Sequence, residues 1–240
     1  MKGLKFYAAG LCAALLLNSC GMSITAKGGI IGGTGGAGLG AALGALIAHN
    51  SGKGAAIGGA AGAVIGTAAG LLIGKKMDKA KKAAEQVANA QVESTTDANG
   101  YQAVKVTFDS GILFQSGKSV LNATAQSSLS NFANNVLKAN SDMNVGIVGY
   151  TDNDPWKGKT AEQSVAANQQ LSMQRAQAVS SFLLNQGVAN SQIKEVAGLG
   201  ESNPVADNST AAGKAQNRRV EVYLYASDEM IKAAEAGTLQ

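Results

Sequence analysis

The chain has 240 residues, 31 of them glycine, and a formal net charge of +4. Most of the glycines fall before residue 75, which argues against a single uniform globule, and the interspersed charges of both signs exclude the one-sided basic balance of a nucleic-acid binder. The length accommodates one or two modest domains.

The opening stretch, "MKGLKFYAAGLCAALLLNSC", puts Lys2 and Lys5 ahead of an apolar run from Phe6 to Leu17. This is the layout of a secretory signal, and the run is short for a bilayer span. Its end, "LLNSC", resembles the lipobox of bacterial lipoproteins, which implies removal of residues 1–19 and a diacylglycerol on the thiol of Cys20. The plainer reading is an ordinary thiol after an ordinary signal. Cys12 lies inside the apolar run and leaves with it, so Cys20 has no disulfide partner in the mature chain. Loss of Lys2 and Lys5 lowers the formal charge of +4 to about +2. Gly21, where aspartate would imply inner-membrane retention, points by the same resemblance to the outer membrane, with its lipid as a partner.

After a short linker (20–27), residues 28–74 carry glycine at every fourth position in two series. One runs Gly28, Gly32, Gly36, Gly40, Gly44; the other runs Gly54, Gly58, Gly62, Gly66, Gly70, Gly74. That spacing lays the glycines along one helix stripe, where another backbone can approach closely. In a water-exposed helix each glycine costs up to about 1 kcal/mol relative to alanine, so a membrane or a tight helix partner must compensate. With "HNSGKG" as the turn, the segment reads as a helical hairpin. It resembles the glycine-zipper segments of bacterial envelope proteins, which implies a homo-oligomer through these helices; a flexible low-complexity linker is the competing reading. His49, the one histidine, sits in the turn and reads as a solvated side chain.

Residues 75–100 read as a charged helical spacer and linker, ending at the pattern break "STTDANG". From Tyr101 the composition becomes that of a compact α/β (α+β) domain over 101–226, followed by a tail at 227–240. "YQAVKVTF" and "NVGIVGY" read as strands, with a helix between them capped by Asn122 and carrying Leu129, Phe132 and Val136 at helical spacing. A second helix is expected over about 163–186, then a strand near 192–197, a short helix near 209–216 and a last strand "RRVEVYLY". The alternation predicts a two-layer domain with a βαβαβ-type core and a mixed sheet.

"VGYTDN", "NQQLSMQRAQAV", "GLGESNPVADN" and "NRRVEVYL", in this order from about Phe108 to Leu224, resemble the OmpA-like C-terminal domain. Outer-membrane protein A, the peptidoglycan-associated lipoprotein and the flagellar protein MotB share that domain; lipobox and glycine-rich segment together resemble lipoproteins of the YiaD type. The resemblance implies non-covalent binding of the diaminopimelate-containing stem peptide of peptidoglycan by an aspartate and an arginine that match Asp152 and Arg175. The chemistry fits. An ammonium and a carboxylate on one carbon call for an anion and a planar donor pair. Asn168 lies two helical turns before Arg175 on the same face, with Leu171 between them. Asn217 could contact the ligand or order its loop, and Arg218 and Arg219 read as fold or surface charges rather than primary ligands. The alternative for Asp152 is a helix cap or a fold-steadying pair with Arg175.

Two departures from the family stand out. Tyr150 replaces the usual histidine, and the span from Asp152 to Arg175 carries an extra "DPWKGKTA" that could add a contact or cover the site. Trp156 could stack on a sugar or pack the loop. A calcium loop in "DNDPWKG" fails because Trp156 and Lys157 occupy the fifth ligand and glycine places, so no metal and no cofactor are expected.

Three function classes follow. The first is a non-enzymatic outer-membrane lipoprotein that tethers the membrane to the wall. The second is an oligomeric scaffold or pore built on the glycine hairpin. The third is a peptidoglycan hydrolase with Asp152 and Asp154 or Glu162 as carboxylates, which only their proximity supports. No cysteine and no histidine follow His49, which removes the common nucleophile–base pairs.

Overall fold

The computed structural model describes Gly44 and residues 66–239. Cys20, the segments 1–19 and 20–27, and most of the expected glycine hairpin lie outside the described residues.

Helix α1 (Ala68–Ala84) starts at Thr67, whose hydroxyl accepts the Gly70 N–H at 3.1 Å. Its Ile73, Met77, Ala80 and Ala84 are fully buried, so the expected spacer is instead part of the domain core. Spacing of three and four puts these residues on one face, while Lys75, Lys79 and Lys82 on the other give the segment its charged look. Strand β1 (Ala90–Thr96) pairs antiparallel with β2 (Gln102–Asp109), from Ala90 opposite Phe108 to Thr96 opposite Gln102. The boundary expected at residue 101 therefore falls inside a hairpin, closed by Asp97, whose carboxylate accepts the N–H groups of Asn99 and Tyr101, both at 2.9 Å. β1 reads as polar because it is an edge strand.

Next come the single turn α2 (Ser110–Leu113) and α3 (Ala123–Phe132), capped by Asn122 as expected. Strand β3 (Met143–Gly149) leads to the long α4 (Ala161–Asn185), whose capping box pairs Thr160 with Gln163. β4 (Ile193–Gly198), α5 (Ala211–Asn217) and β5 (Arg219–Ala226) complete the domain. The expected tail is α6 (Asp228–Glu235), which buries Met230 and Ala234 in the same core.

The sheet order is β1-β2-β5-β3-β4, parallel between β3 and β4 and antiparallel elsewhere. This is the mixed sheet of a two-layer α/β domain, with α4 as the crossover that a parallel pair requires. Val104, Val106, Phe108, Val145, Ile147, Val220, Val222 and Leu224 face the helices in one core, where Phe108 and Phe132 meet edge to face at 5.6 Å. The seating of α4 depends on two glycines. A Cβ on Gly149 would lie 2.1 Å from the Ser172 carbonyl oxygen, and one on Gly198 would lie 2.2 Å from the Met173 nitrogen. The backbone of α4 rests directly on β3 and β4 at its midpoint, between Asn168 and Arg175.

Candidate ligand cleft at the end of the sheet

A cleft of about 730 Å³ opens where β2 and β3 end and β5 begins, between the segment 110–118, the loop after β3 and the face of α4. Asp152, Asn168 and Arg175, far apart in sequence, all line it. Asn217 does not. It is fully buried, its Oδ1 accepts the N–H groups of Val205 and Ala206, and its Nδ2 donates to Ala206 O and Asn208 Oδ1. It orders the loop before α5, the second of the two roles open to it.

Arg175 is 3% exposed, yet it forms no ion pair among the described residues. Its Nε donates to the Lys118 carbonyl oxygen at 3.0 Å, and its guanidinium lies 5.2 Å from the Phe114 ring centre. Burial pulls its pKa down to about 10; the Asp152 charge opposes that shift and the Arg218 charge adds to it. The group remains a cation at neutral pH, with its two Nη groups bonded to no protein acceptor among the described residues.

Asp152 has a partner, but not the expected one. Its Oδ2 accepts a short bond from Arg218 Nη1, and its Oδ1 accepts the Asp154 N–H at 3.2 Å. Arg218, set aside on sequence grounds, therefore belongs to the cleft. Arg219 points to the other face of the sheet, paired with Glu221 at 2.8 Å as a fold salt bridge. Strand alternation separates the two neighbours.

Asn168 organises the loop. Its Nδ2 is shared among Asp152 O, Asp154 O and Glu201 Oε2 at 3.4, 3.3 and 3.1 Å, and its Oδ1 accepts the Trp156 indole N–H at 2.7 Å. The Trp156 backbone N–H donates to Ser164 Oγ at 3.0 Å, and the far edge of its ring lies 3.9 Å from the place of a Cβ on Gly117, in the opposite wall. The extra loop thus forms a wall of an open cleft, with Trp156 packed in it. Asp154 is tied to Lys214 at 2.6 Å, and Glu162 is fully exposed beside Thr160.

Tyr150 is not in the cleft. It is buried on the second face of the sheet with Val148 and Tyr223, under the Arg219 guanidinium at 3.8 Å. Burial and the nearby Glu221 charge push its pKa well above the usual phenol value. Two hydroxyls that sequence reading passes over, those of Ser110 and Thr151, are buried in residues lining the cleft and have no hydrogen-bond partner among the described residues. Unsatisfied polar groups beside an unpaired cation are expensive for the fold alone. Their only sequence signal was a position next to the chain turns that end β2 and β3.

Fold and cleft define a two-layer α/β domain with a charged cleft at the end of its sheet. Residues 113–218 match the model of the OmpA family, so the chain carries an OmpA-family domain there. It is 42% identical over 113 residues to the probable lipoprotein YiaD of Escherichia coli, covering 47% of each protein. It is 46% identical over 86 residues to the peptidoglycan-binding protein ArfA of Mycobacterium tuberculosis, covering 36% of this chain and 24% of ArfA. The chain thus spans less than two thirds of either relative. A putative MotB-like protein from Desulfovibrio vulgaris shares the fold, with a TM-score of 0.55 at 21% identity over 66% of this chain and 99% of that one. No described helix is long and apolar enough to cross a membrane.

Proposed function

We propose that this chain is a non-enzymatic envelope lipoprotein whose OmpA-family domain grips the stem peptide of peptidoglycan and tethers the outer membrane to the wall. The observation that carries this reading is Arg175: a buried guanidinium that forms no ion pair among the described residues, near Asp152 in an open cleft. The distal end of diaminopimelate offers a carboxylate to Arg175 and an ammonium to Asp152, with Asn168 holding the Asp152 loop in place. The similarity to ArfA, a peptidoglycan-binding protein, and to YiaD, a probable lipoprotein, supports the same assignment.

The direction of the chain suits a tether. Lys76 and Asp78, in the middle of α1, pair with Asp142 and accept from Gln102 beside the starts of β3 and β2, and the chain after the helix runs to Ala90 opposite Phe108, so α1 comes in from the end of the sheet away from the cleft. A lipid at Cys20 and a wall in the cleft would pull on opposite ends of the domain. Sedimentation of the full chain with purified peptidoglycan tests the reading: the protein should pellet with the wall and release no soluble muropeptides. A supernatant protein overturns wall binding, and muropeptide release overturns the non-enzymatic assignment. For the anchor, Cys20→Ala should abolish metabolic labelling by a fatty acid; undiminished label would refute lipidation.

A further inference from the structure

The cleft holds more positive charge than the ligand grip just described requires. Asp152 is the one carboxylate facing two guanidinium groups, those of Arg175 and Arg218, and Arg218 occupies it. Asp154, the other acid in the wall, is engaged by Lys214. The two arginines are close enough for the Arg218 charge to oppose protonation of Arg175.

They differ in freedom. Arg175 is pinned by the Lys118 carbonyl oxygen and the Phe114 ring, whereas the Arg218 side chain is 36% exposed and, among the described residues, its only side-chain bond is to Asp152. The Arg218 backbone is fixed all the same. Its N–H donates to Lys214 O, its carbonyl oxygen accepts from Ser110 N–H at 2.9 Å, and Arg219 beside it is locked to Glu221. Arg218 is therefore a rigidly rooted side chain whose free end rests on an anion, within electrostatic reach of a second, fixed guanidinium.

We propose that Arg218 is the mobile half of a two-guanidinium carboxylate clamp: the ligand's ammonium replaces it at Asp152, and it closes with Arg175 on the ligand's carboxylate. The proposal rests on the stem-peptide reading above. The exchange leaves no charge unpaired. Before binding, one carboxylate faces two cations; afterwards the ligand adds one ammonium and one carboxylate, and the Arg175–Arg218 repulsion is screened by the anion between them. Two guanidinium groups on one carboxylate also make a more selective site than one, because a ligand lacking the carboxylate leaves both unanswered.

The bland alternative is that Arg218 merely neutralises Asp152 in the empty cleft. In that case it competes with the ligand, and its removal should leave affinity unchanged or raise it. Titration calorimetry on the full chain separates the two, using a stem tripeptide ending in diaminopimelate and the same peptide with the distal carboxylate converted to carboxamide. Arg218→Ala is expected to weaken the carboxylate peptide roughly tenfold or more, yet to change the affinity of the carboxamide less than about threefold, within 0.7 kcal/mol. Arg218→Lys, which keeps the charge opposite Asp152 but loses the planar fork, should fall between alanine and the parent on the carboxylate peptide. Unchanged or tighter binding by Arg218→Ala, or equal losses on both peptides, would overturn the clamp while leaving the stem-peptide reading intact. A parent protein that binds neither peptide would overturn that reading and the clamp with it.

Discussion

Two buried arginines in this domain have nearly the same exposure and opposite surroundings. Arg219, 4% exposed, has an acceptor at each nitrogen: its Nε meets Glu221 at 2.8 Å, its Nη groups donate to the carbonyl oxygens of Asn217 and Asn203, and its plane stacks on Tyr150 at 3.8 Å. Arg175, 3% exposed, has one carbonyl oxygen, one ring and no ion pair among the described residues. A buried charge with an acceptor at each nitrogen is accommodated by the fold; one with nitrogens left over has donors to offer a ligand. The motif resemblance takes Arg175 as a ligand and Arg219 as a fold or surface charge, and their hydrogen-bond inventories differ in the same sense.

The comparison breaks most visibly at the Arg219 site. Glu221→Gln leaves the Arg219 cation buried without its counter-charge and weakens the acceptor of the Tyr223 hydroxyl, now at 2.6 Å. Loss of a buried pair's partner costs about 3 to 5 kcal/mol, so the melting temperature should drop by on the order of 10 °C in a thermal melt. A drop of under about 2 °C would mean that the second face tolerates an open charge as the cleft does.

Next in size is the wall of the cleft. Trp156→Phe keeps an aromatic ring against the Gly117 turn but deletes the indole N–H that Asn168 accepts. A stability loss of about 0.5 to 1.5 kcal/mol is expected, with weaker ligand binding because Asn168 also holds the Asp152 and Asp154 carbonyls. Chemical denaturation and titration of the same variant check both, and an unchanged midpoint would show that the indole bond contributes nothing.

The smallest expected change is the most diagnostic. Arg175→Met removes the unanswered cation and retains an apolar stem against Phe114. Because burial lowers the Arg175 pKa from its ordinary value to about 10, the native state holds that proton less tightly than the unfolded chain. The charge therefore costs stability at every pH below about 10, and the cost is relieved as pH rises through 10 toward the ordinary guanidinium value. At neutral pH the variant should melt at the parent's temperature or up to about 4 °C higher. A melting temperature well below the parent's would make Arg175 a fold residue like Arg219.

Much of this was legible in the sequence, for reasons that differ by residue. Period two from Tyr101 onward located β2, β3 and β5, and Asn122 announced α3 by the chemistry of a cap. The same alternation, carried one residue further, would have sent Tyr150 to the face of Val148 and away from the cleft. Arg218 was missed because adjacent arginines are equivalent in sequence; which one faces Asp152 is decided by where α5 ends and β5 enters the sheet. α1 was misread because Ala80 and Ala84 carry little hydrophobic signal beside five lysines, although with Ile73 and Met77 they complete a buried stripe. The close seating of α4 on Gly149 and Gly198 is a tertiary fact with no local signature.

The central claim is that Arg175 is buried for a ligand and not for the fold. Isothermal titration of a diaminopimelate-terminated stem peptide into the parent and Arg175→Lys proteins, each with its thermal melt, tests it most directly. The lysine keeps the charge and loses the planar two-point grip, at a cost of about 1.5 to 3 kcal/mol in binding. The account predicts a roughly tenfold to hundredfold weaker affinity at an unchanged melting temperature. Equal affinity, or an affinity that falls only together with the melting temperature, would contradict it.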